Sequence, residues 1–151
     1  MPQELALPNF DAVLAKVDRL QRSGYTAKGR WNLGQICDHL SFFIEGTLDG
    51  HSYKAPWLLK VLVGRMVLKR ILSQKKMKAG VLTPQKPLPD PSIDQAASIA
   101  RFKHAVKRLN EHTGAMHDSP FFGHLTPEQW RELHLIHANH HLAYLESTEV
   151  A

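Results

Sequence analysis

The chain has 151 residues, of which 43% are hydrophobic and 22% charged, and it carries a formal net charge of +5. This size and composition are typical of one globular domain, predicted here over residues 1–151, and they exclude a small scaffold that depends on cross-links. Cys37 is the only cysteine, so no intramolecular disulfide can form and a reducing compartment is expected. The N-terminal residues lack the basic and apolar regions of an export signal, which predicts a cytoplasmic location.

Two amphipathic helices are predicted in the first third of the chain. In the first, apolar residues recur at helical spacing from Phe10 to Leu20, with Asn9 as the N-cap and Ser23-Gly24 as the stop. Residues 25–30 have no periodicity and are interpreted as a connection. The second helix is predicted from Asn32 to about Thr47, before the turn signal Asp49-Gly50.

Residues 56–72 form a strongly apolar segment that also contains four cations. It is shorter than the ~20 apolar residues that cross a bilayer. On a helical wheel the cations scatter around the axis, whereas a helix lying on a membrane surface would segregate them. We therefore predict a helix packed on the bundle or on a second subunit of a homodimer, and no membrane contact.

The second half of the chain predicts a connection and two further helices. In residues 73–91, Lys75, Lys76 and Lys78 are followed by four prolines, which indicates a long crossover or a lid. The sequence Ser92-Ile93-Asp94-Gln95 matches a capping box and opens the third core helix, which ends at Thr113-Gly114. A second capping box, Thr126 to Gln129, opens the last helix, predicted to reach about Glu146. With no strand-like alternation, the predicted fold is all-α: a four-helix bundle with a helical insertion between core helices 2 and 3.

Histidine is the unusual feature of the composition, because four of the ten histidines fall within residues 134–141. His137 and His141 lie one helical turn apart on the same face, and His134 and His140 share its broad arc. Apolar residues on this arc must enter the core, where an unsatisfied polar group costs roughly 1–3 kcal/mol. Spacing of i, i+4 directs two ring nitrogens at one ion, so a metal site is predicted, with hydrogen bonding among the rings as the alternative.

His39 on the second helix is the predicted third ligand. It shares its face with Gln35, Ile36 and Phe43, so it points inward, whereas Cys37, Asp38 and Glu45 diverge from it. Three imidazoles leave open positions for water or substrate, and such a donor set suits zinc, nickel, iron(II) or cobalt.

These residues carry a resemblance to a known superfamily. The stretch from Trp31-Asn32 to His39, together with His117–Trp130 running into His137–Leu142, resembles an uncharacterised branch of the DinB/YfiT-like superfamily of metal-binding four-helix bundles. By position, His39, His137 and His141 match that family's metal triad. The resemblance implies a metal-dependent enzyme acting on a small molecule, either a transferase or isomerase that uses a low-molecular-weight thiol or a hydrolase. Many members have Arg-Gly-Gln after the last ligand, where this chain has Leu142-Ala143-Tyr144.

Functions of different classes remain open on these observations. We expect a thiol-dependent S-transferase, with a metal-dependent hydrolase and a non-enzymatic structural metal clasp as alternatives. His134 and His140 are candidates for orienting a ligand, contacting substrate or accepting a proton. His117 and His124 are expected near the mouth of the site, and His51, His104 and His112 on the surface. Nucleic-acid binding is not predicted, because the basic residues of the third helix spread over different faces without interleaved aromatic residues.

Overall fold

The computed structural model describes residues 4–52, 56–77 and 90–148, which fold into a mostly helical structure around one hydrophobic core. Its helices are α1 (Phe10–Ser23), α2 (Leu33–Asp49), α3 (Trp57–Leu59), a π-helical turn (Lys60–Gly64), α4 (Arg65–Gln74), α5 (Gln95–Glu111) and α6 (Pro127–Leu142). The predicted all-α class is consistent with this mostly helical structure. The predicted connection over residues 73–91 lies mostly outside the described residues, and its first two residues belong to α4.

Local capping signals fix where most of these helices begin. The Asn9 side chain accepts a hydrogen bond from the backbone N–H of Ala12 at the start of α1. At the other end, α1 is terminated by the C-cap residue Gly24, whose φ of 82° is readily adopted only by glycine. The helices α2 and α6 both begin with capping boxes, Asn32 with Gln35 and Thr126 with Gln129. These three predicted starts are confirmed.

The predicted capping box at the start of α5 is wrong by two residues. Asp94 is the N-cap, and its carboxylate accepts from the backbone N–H of Ala97. The Ser92 hydroxyl and backbone N–H instead both donate to Asp90. The Asp90 carboxylate, two residues before Ser92, offers the Ser92 hydroxyl a local hydrogen bond. This bond competes with the predicted use of the Ser92 side chain as a helix cap.

The helix α2 is central, packing most extensively on α5 and also on α6 and α1, while α4 packs on α6. Ion pairs reinforce the contact between α2 and α5. Arg101 of α5 binds both Asp38 and Glu45, and Arg108 binds Asp49 through two hydrogen bonds of 2.9 and 2.6 Å. The acidic residues of α2 are therefore directed toward α5, and its opposite side is left for α6.

A short antiparallel sheet corrects the prediction that the chain has no strand. Strand β1 (Tyr25–Ala27) pairs with β2 (Leu145–Ser147), with Tyr25 opposite Ser147 and Ala27 opposite Leu145. The helix α6 ends at Leu142, four residues before the predicted Glu146. The backbone groups of residues 145–147 bond to β1 instead of to the preceding helical turn, and the Leu145 side chain is buried in the core.

The segment from Trp57 to Gln74 contacts the rest of the protein along one side. Leu68 and Ile71 are buried, and a Cβ added at Gly64 would lie 1.9 Å from the backbone oxygen of Phe121. The Arg65 guanidinium donates to the backbone oxygens of Phe122 and His124. None of the helices in the described ranges has the length and apolarity that a membrane crossing requires.

Candidate metal centre

The structure brings the three predicted ligands together between α2 and α6. The Nε2 atom of His137 lies 3.1 Å from Nε2 of His39 and 3.0 Å from Nε2 of His141. His39 is buried, while His137 and His141 are half-buried. The burial of His39 follows from its position on the inward face of α2, and the other two rings occupy successive turns of α6.

The arrangement fits a metal ion better than a hydrogen-bonded cluster. A neutral ring nitrogen has either one proton or one lone pair in the ring plane, so Nε2 of His137 cannot make well-aligned bonds to both neighbours at once. A shared cation at about 2.0–2.1 Å from each nitrogen would separate the nitrogens by about 3.0–3.4 Å. The separations of 3.1 and 3.0 Å fall at the short end of this range. The three imidazoles could therefore hold one transition-metal ion.

The other potential ligands of α2 lie away from the triad, as predicted. Cys37 is buried, and burial raises the pKa of its thiol to about 12, helped by the nearby charge of Asp38. The carboxylates of Asp38 and Glu45 bind Arg101. Within the described part of the chain, the cluster able to hold a metal consists of imidazoles alone.

Two aromatic side chains form walls around the triad. The Trp31 ring stacks on His141 with a centroid separation of 5.3 Å and an interplanar angle of 18°, and lies 4.7 Å from the ring of His39. The Phe43 ring packs edge-on against His39 and His137, at 5.0 and 5.5 Å. These contacts restrict the rotation of all three imidazoles and limit the access of water.

The sequence did not assign Trp31 or Phe43 a role in the site. Phe43 was recognisable as a neighbour of His39, because it lies one turn later on the same face of α2. Trp31 gave no local signal for its stacking on His141, since that contact depends on the pairing of β1 with β2. Lys28, three residues before Trp31, donates its backbone N–H to the backbone oxygen of Tyr144 at 2.8 Å. Tyr144 lies just beyond the end of α6.

His140 lies beside the triad on the same helix. Its ring contacts His141 edge-on at 5.0 Å and Tyr144 at 5.9 Å, and it is half-buried. His140 therefore occupies the side of His141 next to the C-terminal end of α6. This location is consistent with the predicted role of a residue that contacts substrate or orients a ligand.

His134 belongs to a different network. Its Nε2 lies 2.9 Å from Oγ1 of Thr47, whose hydroxyl donates its proton to the backbone oxygen of Phe43. With the Thr47 proton on the Phe43 oxygen, Nε2 of His134 is the donor in this pair. Complete burial, with a contribution from His51, lowers the pKa of His134 to about 3. The His134 ring is neutral and has a structural role. It bonds to Thr47 and stacks on Trp130, and both of these residues lie outside the triad.

The surface prediction for His51 is wrong. Its ring stacks on one side of Trp130 at 5.8 Å, and His134 stacks on the same indole at 5.2 Å. Burial lowers the pKa of His51 to about 4, with a smaller contribution from His117. His51 follows α2 in a turn, and no local periodicity marks a turn residue that folds back onto a distant helix.

The remaining histidines lie outside the triad. His117 and His124 are exposed, and Nδ1 of His124 pairs with Asp118 at 2.9 Å. His104 is exposed, as predicted, and His112 is half-buried with its Nε2 at 3.1 Å from the backbone oxygen of Ala115.

Comparison with known proteins gives one match. The family model described as "Protein of unknown function (DUF1569)" matches residues 1–148. Neither the curated proteins nor the solved structures contain a significant match to this chain. The chain therefore belongs to the DUF1569 family, which is part of the DinB/YfiT-like superfamily.

Proposed function

We propose that this protein binds one divalent transition metal through Nε2 of His39, His137 and His141 and is a metal-dependent enzyme. The observation that carries the proposal is the convergence of the three Nε2 atoms, at 3.0 and 3.1 Å from the central one. In this proposal the four long helices α1, α2, α5 and α6 form a four-helix bundle around the metal, and α3 and α4 are the insertion between its second and third helices. Zinc, nickel, iron(II) and cobalt all suit three imidazoles.

An enzymatic site is favoured over a structural clasp by the number and exposure of the ligands. Structural zinc is usually closed by four protein ligands, whereas the cluster here has three. Two of them, His137 and His141, are only half-buried, so a small molecule can approach the open side. A metal ion in such a site supplies Lewis acidity, lowering the pKa of a water or thiol at its open position.

A thiol-dependent transfer reaction suits the groups around the triad better than a hydrolysis that needs a carboxylate base. Asp38 and Glu45, the acidic residues of α2 nearest in sequence to His39, are engaged with Arg101. The lowered pKa of His134 and its donated Nε2–H make it a poor base. His140 is then the group we assign to accept the thiol proton, because its ring contacts the ring of His141.

The proposed reaction transfers a low-molecular-weight thiol to a small electrophile. The thiol loses its proton to His140, its sulfur forms a bond to the electrophilic carbon, and the leaving group departs with its bonding electron pair. Trp31 and Phe43 would contact the apolar part of the substrate and exclude water from the reacting atoms.

The experiment begins with elemental analysis of protein purified without a histidine tag. The metal is then replaced with cobalt(II), and absorption is recorded during titration with a small thiol. We expect a sulfur-to-cobalt charge-transfer band in the native protein and in a His104→Gln control, and no cobalt binding in His141→Ala. His140→Gln should retain the thiol band while losing turnover with a thiol-reactive electrophile.

Each alternative gives a different result. A cobalt spectrum that thiols leave unchanged, together with tetrahedral four-ligand coordination, would identify a structural clasp. Turnover of ester or amide substrates without any thiol would identify a hydrolase. Failure of the native protein to bind any of the four metals would remove the metalloprotein proposal entirely.

A further inference from the structure

Positive charge is concentrated in one part of the chain. Residues 50–89 contain nine of the nineteen Lys and Arg residues and none of the fourteen Asp and Glu residues. The rest of the chain has ten basic and fourteen acidic residues, so the whole excess of positive charge comes from this stretch. We call its described part with the helices α3 and α4, residues 56–77, the basic–apolar segment.

The same segment exposes the apolar side chains that most proteins bury. In the described part of the chain, every large hydrophobic residue with an exposed side chain belongs to it: Trp57, Leu58, Leu62, Val63 and Met66. Trp57, Leu62 and Met66 are exposed by 69%, 63% and 65%. Several large apolar side chains exposed within one short segment of a folded protein mark a site of interaction.

Met66 and two cations lie on the same outer side of α4. Leu68 and Ile71 face the core, while Met66, Lys69 and Arg70 are exposed on the opposite side. Neither Lys69 nor Arg70 forms an ion pair with an acidic side chain in the described ranges, whereas Lys75 and Lys76 pair with Glu132 and Glu4. Arg65 donates to the backbone oxygens of Phe122 and His124, which leaves Lys69 and Arg70 as the cations of α4 that are available on its outer side.

We propose that the basic–apolar segment docks the protein on the surface of a membrane that contains acidic phospholipids. Trp57, Leu62 and Met66 would enter the boundary between headgroups and acyl chains, and Lys69 and Arg70 would contact the lipid phosphates. In this proposal the segment lies along the membrane surface.

The charge pattern favours this partner over two others. A second copy of the chain packed through this face would bring two stretches together that contain cations and no acidic residue to pair with them. Nucleic acid would neutralise Lys69 and Arg70 but leave Leu62 and Met66 in water. An acidic lipid surface satisfies both the cations and the apolar side chains.

The test measures binding of the full-length protein to phosphatidylcholine vesicles with and without phosphatidylglycerol, by flotation. We expect binding only to the acidic vesicles, weakened by salt. The charge variant Lys69→Gln/Arg70→Gln should partition about 30-fold more weakly, since each cation near the surface contributes about fivefold. A matched variant, Arg22→Gln/Lys107→Gln, removes two exposed cations of α1 and α5 and should bind like the native protein.

The apolar contribution is tested separately. Leu62→Ser/Met66→Ser should weaken partitioning by at least about tenfold, with an unchanged melting temperature because both side chains are exposed. Acidic vesicles should also shift tryptophan emission to shorter wavelength, and this shift should vanish in Trp57→Phe.

The proposal would be overturned if the protein did not bind acidic vesicles, or if the charge variant and its matched control lost the same amount of vesicle binding. It would also be overturned if the emission shift persisted in Trp57→Phe, or if the native protein were a dimer that Leu62→Ser/Met66→Ser dissociates. Duplex DNA binding that is lost in the charge variant but kept in Leu62→Ser/Met66→Ser, without vesicle binding, would assign the segment to nucleic acid.

Discussion

Replacing His137 with alanine removes the central ligand of the triad, whose Nε2 lies at 3.1 and 3.0 Å from the other two. His39 and His141 then remain as two donors from different helices. Binding of a metal to the folded state alone stabilises it by about 4.1 kcal/mol when free metal is about 1,000 times the dissociation constant. For a chain of 151 residues, the entropy of unfolding is about 0.3 kcal/mol per kelvin, so this stabilisation raises the melting temperature by about 13 °C.

In His137→Ala we expect an affinity at least about 1,000-fold lower, which reduces the metal-dependent increase to about 1 °C at the same free metal concentration. The assay is thermal unfolding of each protein with buffered zinc, nickel or cobalt and with a chelator. The difference is taken within each variant, so that any effect of the substitution on the apo fold cancels. His104→Ala, which removes an exposed histidine of α5, should retain the full increase. An equal increase in His137→Ala would refute the triad as a metal site, and no increase in the native protein would exclude zinc, nickel and cobalt as its metal.

Three further outcomes concern the stability of the fold. Thr47→Val leaves the Nε2–H of His134 without its acceptor and should cost about 1–3 kcal/mol in unfolding free energy, measured by denaturant titration, whereas Thr47→Ser should cost less. The free energy of unfolding should fall as the pH drops from about 6.5 toward 4. In the folded protein the pKa of His51 is lowered to about 4 and that of His134 to about 3, so in this range the two imidazoles bind protons in the unfolded chain before they do so in the folded one. His51→Phe, which keeps a ring on Trp130, should flatten that dependence in melts recorded between pH 4 and 7, and an unchanged slope would contradict the assignment. Gly64→Ala should lower the melting temperature despite the better helix propensity of alanine, because its Cβ would meet the backbone oxygen of Phe121 at 1.9 Å; an unchanged or higher melting temperature would contradict the close approach.

Helix boundaries were predictable where their signals are local. Asn9, the pair Asn32 and Gln35, and the pair Thr126 and Gln129 each cap a helix through groups no more than three residues apart, so the sequence contains the whole interaction. At the start of α5 the Ser92 side chain can either cap the helix or donate to Asp90, and Asp94 offers a second possible cap. The sequence alone does not rank them, because the choice depends on where α5 must begin to pack on α2.

The convergence of the three histidines was predictable for a related reason. The i, i+4 spacing of His137 and His141 and the inward position of His39 are properties of single helices. The sequence does not determine how far α2 and α6 are shifted along each other. This relative height brings Nε2 of His39 to 3.1 Å from Nε2 of His137. That height follows from side-chain packing along both helices, including the hydrogen bond from His134 to Thr47 between them.

The short sheet explains how the least predictable part of the fold reaches the site. Because α6 ends at Leu142, the backbone of residues 145–147 is available to pair with β1. Four residues after β1 the chain reaches Trp31, which stacks on His141 in the last turn of α6. If α6 continued to Glu146 as its sequence predicts, those backbone groups would bond within the helix and β1 would lose its partner. The pairing of β1 with β2 therefore brings the chain that carries Trp31 back to the end of α6, beside His141. In this way the C-terminal boundary of α6 is coupled to the geometry of the candidate metal site.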